Sequence, residues 1–187
     1  MQPIGITVTS TAPPAIRWRC PSCDHTEFEC SQRFRMNSNG KLADIWLIYR
    51  CGQCGATKNV TVVERTPVAR IPSALFAAAT DNDPVVARAM ARDVSLIKAA
   101  GALVARGDVF EIEPASSTPL GSQFELVFDE ALLVRLDEVV SRAARISRSR
   151  CRDLVDRGQL HVCPTNQRID QLRLWSAARV TFDREIA

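Results

Sequence analysis

The chain has 187 residues, 46% hydrophobic and 24% charged, which is the composition of ordinary globular material. Its formal net charge of +3 is too small to argue nucleic-acid binding from the total, so any basic patch has to be local. Seven cysteines, an odd number, argue against a fully paired disulfide framework; with no membrane-length apolar run and no secretory leader pattern, reduced thiols in the cytoplasm are the expectation.

Residues 1–15 are rich in Thr and Pro, and Pro13-Pro14 favours an extended approach to the first cysteine pair. Ile16-Arg17-Trp18-Arg19 alternates apolar and basic residues and predicts a short strand ending in the turn Cys20-Pro21-Ser22-Cys23. From Glu27 to Met36, Phe28, Cys30, Phe34 and Met36 share one parity, with Gln32 as the exception, which predicts a half-buried strand. Asn37-Ser38-Asn39-Gly40 supplies hairpin chemistry. Leu42–Arg50 reads as the returning strand, Ile45 and Leu47 on one face, Trp46 and Ile48 on the other. It delivers the chain to a second turn, Cys51-Gly52-Gln53-Cys54, where Gly52 and Gly55 are expected to adopt positive φ. Asn59–Arg65 closes a three-stranded sheet.

Both cysteine pairs have the two-residue gap that lets two sulfurs reach one ion. Two such turns facing each other make a four-sulfur cage from Cys20, Cys23, Cys51 and Cys54, the geometry zinc accepts most readily. One structural zinc ion is therefore expected, with no open coordination position for catalysis. A redox CxxC needs a helix N-terminus to lower the thiol pKa, and strand-forming residues follow both pairs instead. His25 is an alternative ligand or a hydrogen-bond donor to one, and Cys30 reads as a small buried hydrophobe. Knuckle, hairpin, knuckle, strand resembles a zinc ribbon over roughly residues 16–66. The interval from Cys23 to Cys51 exceeds the usual spacing of about 15–20 residues, and a long hairpin absorbs the surplus.

Two prolines between Pro67 and Pro72 mark a boundary. Ile71–Thr80 predicts a short helix. Asp83 is a cap and Pro84 a first helical residue for a second helix, whose apolar face runs Val86, Met90, Val94, Ile97 and stops at Gly101. Asp108–Glu113 and Gln123–Phe128 read as strands, with a loop from Pro114 to Pro119 between them. No catalytic constellation appears in this third; Asp81 and Asp83 fit caps better than an acid/base pair.

In the last third, Val134–Ala144 predicts a helix burying Leu136, Val139, Val140 and Ala143. Ser147 is the N-cap of another, Arg148–Arg157, with Cys151, Leu154 and Val155 inward; Gly158 stops it and Gln159–Val162 leads off as a strand. Arg135-Leu136-Asp137, then Ile146-Ser147-Arg148-Ser149-Arg150-Cys151-Arg152-Asp153-Leu154-Val155 and Gly158 through Val162, resembles the S-four RNA-binding domain, with Ser176–Phe182 as its final strand. The departure is Cys163-Pro164-Thr165-Asn166, where that family carries an Asn-Gly turn. The stretches Arg17-Trp18-Arg19-Cys20-Pro21, Arg33-Phe34-Arg35-Met36-Asn37 and Asp44–Cys51 also resemble a family of small bacterial proteins of unassigned function.

These readings give an α+β protein in three parts: a zinc ribbon at 1–68, an α+β middle segment at 69–128 and an S-four-like domain at 129–187. The RNA-contacting residues would be Arg142, Arg145, Arg148, Ser149, Arg150 and Arg152, because arginine forks bridge phosphate oxygens and a helix N-terminus favours an anion. Arg148 and Arg152, four apart, share a helix face. The ribbon offers a second contact through Arg17, Arg19, Arg33, Arg35 and Arg50, interleaved with Trp18, Phe34 and Tyr49. The expectation is an RNA-binding accessory protein, acting on structured or ribosomal RNA and lacking catalysis. The alternative is a module that binds another protein.

Overall fold

The computed structural model describes residues 4–114, 123–163 and 168–182. They form two five-stranded sheets and five α-helices, a mixed α+β architecture. Two compact units result, one from Pro13–Arg106 and one joining Met1–Ala12 to Gly107–Ala187. This division differs from the three segments read from the sequence: the first strand, β1 (Ile4–Ala12), joins the second unit, and the helices after residue 72 pack on the ribbon.

In the 13–106 unit, β2 (Ala15–Arg17), β3 (Glu27–Asn39), β4 (Leu42–Cys51) and β5 (Thr57–Pro67) carry the ribbon. Helices α1 (Ser73–Asp81), α2 (Pro84–Ala91) and α3 (Val94–Ala99) follow, then β6 (Leu103–Arg106). The sheet order is β5-β4-β3-β2-β6, all antiparallel, so the three-stranded ribbon expected is extended by β2 and β6. β4 alternates strictly between half-buried and buried positions from Leu42 to Tyr49, the period-2 pattern of a strand with one face on a core. Phe28, Phe34, Ile45, Leu47, Tyr49 and Val60 point inward, against Ala79, Ala87, Ala91 and Ile97 of the helices. The parity break at Gln32 is a bulge: Gln32 has φ 56 and the register slips between Cys30 and Phe34. The bulge frees the Phe34 amide, which donates to Asn82 Oδ1 at 2.8 Å from the left-handed C-cap of α1. The single helix expected from Pro84 onward is two. Asp93 interrupts it, because its carboxylate accepts from the Ser95 and Leu96 amides and caps a new start, as Asp83 does for Val85 and Val86.

In the other unit, β7 (Val109–Pro114), β8 (Gln123–Arg135), α4 (Leu136–Ala143), α5 (Arg148–Asp156), β9 (Leu160–Cys163) and β10 (Leu172–Phe182) join β1. The order is β7-β1-β8-β10-β9, with β1 and β8 parallel and the other pairs antiparallel. Ile6, Val8, Phe124, Leu126 and Val180 face the buried side of α4 and α5, where Leu136, Val139, Val140, Cys151 and Leu154 sit. Val134 and Arg135, expected in the helix, end β8 instead. Ser147 caps α5 by accepting the Arg150 amide at 3.1 Å, and Gly158 takes φ 65 just past its end. The loop expected after Pro114 and the turn Pro164-Thr165-Asn166 lie outside the described residues. Among the described residues no helix is long and apolar enough to cross a membrane.

Candidate metal centre and arginine corner

The two knuckles are built alike. In the first, the Cys20 amide donates to His25 O and the Asp24 amide to Cys20 O; in the second, Cys51 donates to Ala56 O and Gly55 to Cys51 O. The residue after each second cysteine is left-handed, Asp24 at φ 59 and Gly55 at φ 75. Gly52 has no positive φ, contrary to expectation; a Cβ there would rest at ordinary contact, 3.6 Å, from His25 Nε2. A strand pair anchors the arrangement from behind, with Phe28 opposite Cys51 and the Gly52 amide donating to Glu27 O.

This framework brings the sulfurs of Cys20, Cys23, Cys51 and Cys54 within 4.8 Å of one another. Cys20–Cys54 and Cys23–Cys51 are each 3.6 Å apart, far too long for a disulfide. A tetrahedral ion with metal–sulfur bonds of about 2.3 Å has a sulfur–sulfur edge of about 3.8 Å, so the four thiols fit a bound metal ion. His25 is not among the converging groups. Electrostatics agree with the fit. Burial raises Cys51, but the Cys54 and Gln53 amides and the neighbouring thiols bring it down to about 6. The His25 amide lowers Cys23, yet burial and the three other thiols push it up to about 12. Four thiolates this close repel one another, and a divalent cation is what lets all of them ionise together.

The six residues expected to contact RNA all lie at one corner, formed by the end of α4 and the start of α5. Most of them do not present free guanidiniums. Arg148 and Arg152 turn to Asp137, whose side chain is fully buried, at 3.5 and 3.9 Å; Arg135 joins them at 3.2 Å. Arg150 pairs with Asp153, which also holds Arg157. Arg142 donates to Phe110 O at 3.1 Å and stacks on that ring, 4.5 Å from its centroid. Arg145 is exposed, left-handed at φ 55, and has no ion pair among the described residues; Ser149 is also exposed. One carboxylate for three guanidiniums, which remain 36%, 42% and 47% exposed, leaves the cluster cationic and preformed. Asp137 is the residue that sequence reasoning undervalued; its signal was its place in the first turn of α4, two residues after Arg135. Of the ribbon aromatics expected to stack on bases, Phe34 and Tyr49 are in the core, and Trp18 is covered by Lys58 at 4.3 Å and Phe28 at 5.5 Å.

Fold and site together define a mixed α+β protein with a four-cysteine cluster able to hold a metal ion. The sequence pattern of DUF1062, described as a protein of unknown function, matches residues 36–166, well over half of the chain, and the chain belongs to that family. Comparisons with curated proteins and with solved structures return no match.

Proposed function

We propose that this is a zinc-containing, non-catalytic RNA-binding protein that grips structured RNA, ribosomal RNA included, at the α4–α5 corner. The observation that carries the reading is the charge of that corner. Residues 135–157 hold seven arginines against four acids, a surplus equal to the +3 of the whole chain, so the remainder is balanced. A helix N-terminus lies among those arginines, and both features favour an anion. Guanidiniums already oriented by Asp137 lose less freedom on meeting a phosphate than solvated ones do. The order of a helix, a Ser-capped helix, a glycine and a strand supports the S-four-like reading of this region. Zinc is the reading for the ion because four thiolates form a closed tetrahedral set, which suits zinc and leaves no position for a substrate.

Two measurements test this. Native mass spectrometry with elemental analysis is expected to give one zinc per chain; iron, or a folded metal-free chain, overturns the zinc reading. Arg145→Glu with Arg150→Glu is expected to abolish retention of structured RNA with little change in melting temperature, since neither side chain is buried. Unchanged retention overturns the corner reading and favours a protein partner.

A further inference from the structure

We propose that the outward face of the 13–106 sheet, where Trp46 and Ile48 lie among Arg33, Arg35 and Arg50, binds an unpaired stretch of RNA. The inference rests on the RNA reading above for its class of ligand and adds a surface with different chemistry.

The inward residues of this sheet make the core, and Trp46 and Ile48 are not among them. Register places Trp46 between Arg35 on β3 and Thr61 on β5. Ile48 faces Asn59, and Arg50 lies between Glu29 and Thr57. Arg33, just past the bulge and next to inward Phe34, is exposed, as are Arg35 and Arg50. Same-face residues on a strand are about 6.7 Å apart and neighbouring strands about 4.8 Å, so the ring, the aliphatic side chain and the guanidiniums form one patch. Among the described residues none of these three arginines has an ion pair. Of the acids on this face, Asp44 accepts the Arg65 amide at 2.7 Å, and Glu29 sits at the far end, opposite Arg50. The Arg33–Arg35–Trp46 end is thus cationic beside a half-buried indole.

That pairing selects a ligand. An indole stacks on the flat face of a base, which a duplex hides and a single strand offers. Arginine forks take the phosphates on either side. Thr57, Asn59 and Thr61 add neutral donors and acceptors along the next strand without favouring one base. A run of carboxylates would satisfy the arginines but offers no planar group to Trp46.

The test uses the full-length, metal-loaded protein and fluorescence anisotropy with two probes, a short oligouridine and a blunt RNA duplex of equal length. Trp46→Ala is expected to weaken oligouridine binding about tenfold and leave duplex binding unchanged. Trp46→Phe, which keeps a π face, restores most of the loss, and Arg33→Glu with Arg35→Glu removes oligouridine binding. Far-UV circular dichroism and metal content confirm that each variant is folded. Oligouridine affinity unchanged in Trp46→Ala and in the arginine variant overturns the proposal, as does equal competition by polyglutamate. The Arg145→Glu, Arg150→Glu protein separates the two surfaces. If it loses structured RNA while Trp46→Ala loses nothing, this inference fails and the corner reading stands; the opposite result fails the corner and keeps the sheet face.

Discussion

A cysteine can serve as a metal ligand, a core residue or an exposed thiol according to its surroundings, and the cysteines of this chain lie in all three kinds of place. Cys20, Cys23, Cys51 and Cys54 face one another. Burial raises Cys30 to about 11, despite the Gln32 amide and Arg92, and raises Cys151 to about 11, where Asp137 adds to it. Cys163 is exposed at the end of β9. At pH 7.5 a thiol raised to about 11 is ionised in roughly one molecule in a few thousand, and only the thiolate attacks. An aromatic disulfide reagent is therefore expected to label one thiol rapidly in the metal-loaded protein, and Cys163→Ser to remove that phase. Rapid labelling of Cys30 or Cys151 would contradict their packing. The sign of the pH effect is also fixed. These buried thiols keep their protons above 9.0, where an unfolded chain sheds them, so folding weakens as the pH climbs past that value.

The elements legible in the sequence were those whose signal is local. Alternation in β3 and β4, Asn-Gly between them, the Asp83 and Ser147 caps and the Gly158 stop each rest on a few neighbouring residues. The four clustered cysteines were legible for the same reason: CxxC spacing is a local constraint that metal binding imposes. Less visible were features set by distant partners. β1 pairs in parallel with β8, across more than a hundred residues, where the sequence reads only as a Thr- and Pro-rich start. Asp93 split a helix because a cap competes with an apolar stripe that continues unbroken through it. Within that unit, the knuckle amides are the ones a bound ion would hold most directly, since few residues close each turn. A structural zinc ion, the metal proposed above, contributes on the order of 10–16 kcal/mol in small peptides. Chelation is expected to deprotect the Cys20, Asp24, Cys51 and Gly55 amides first in hydrogen exchange, while the β3–β4 pairing from Met36 to Ile45 outlasts them. Simultaneous exchange of all these amides would mean that the ion sets the stability of the whole unit.

For the molecule as a whole, charge placement is the property on which the proposed RNA reading rests. The arginine run was legible in the sequence, but its pairing was not: Asp137, buried beneath three guanidiniums, was visible only once α4 and α5 were packed together. Under that proposal, a surplus of about three charges at the corner corresponds to about three phosphates neutralised. RNA affinity should then fall by roughly 2–3 log units per tenfold rise in salt. Asp137→Asn separates the two roles of the carboxylate. Losing a buried partner of three arginines, and an acid from the first turn of α4, should lower the melting temperature. Freeing one more positive charge should at the same time tighten RNA binding at low salt and steepen the salt slope by about 0.7–0.9. Stability and affinity moving in opposite directions is the signature of a carboxylate that competes with phosphate for the same guanidiniums. If both fall together, Asp137 is needed to shape the site, and the arginines act through the geometry it imposes.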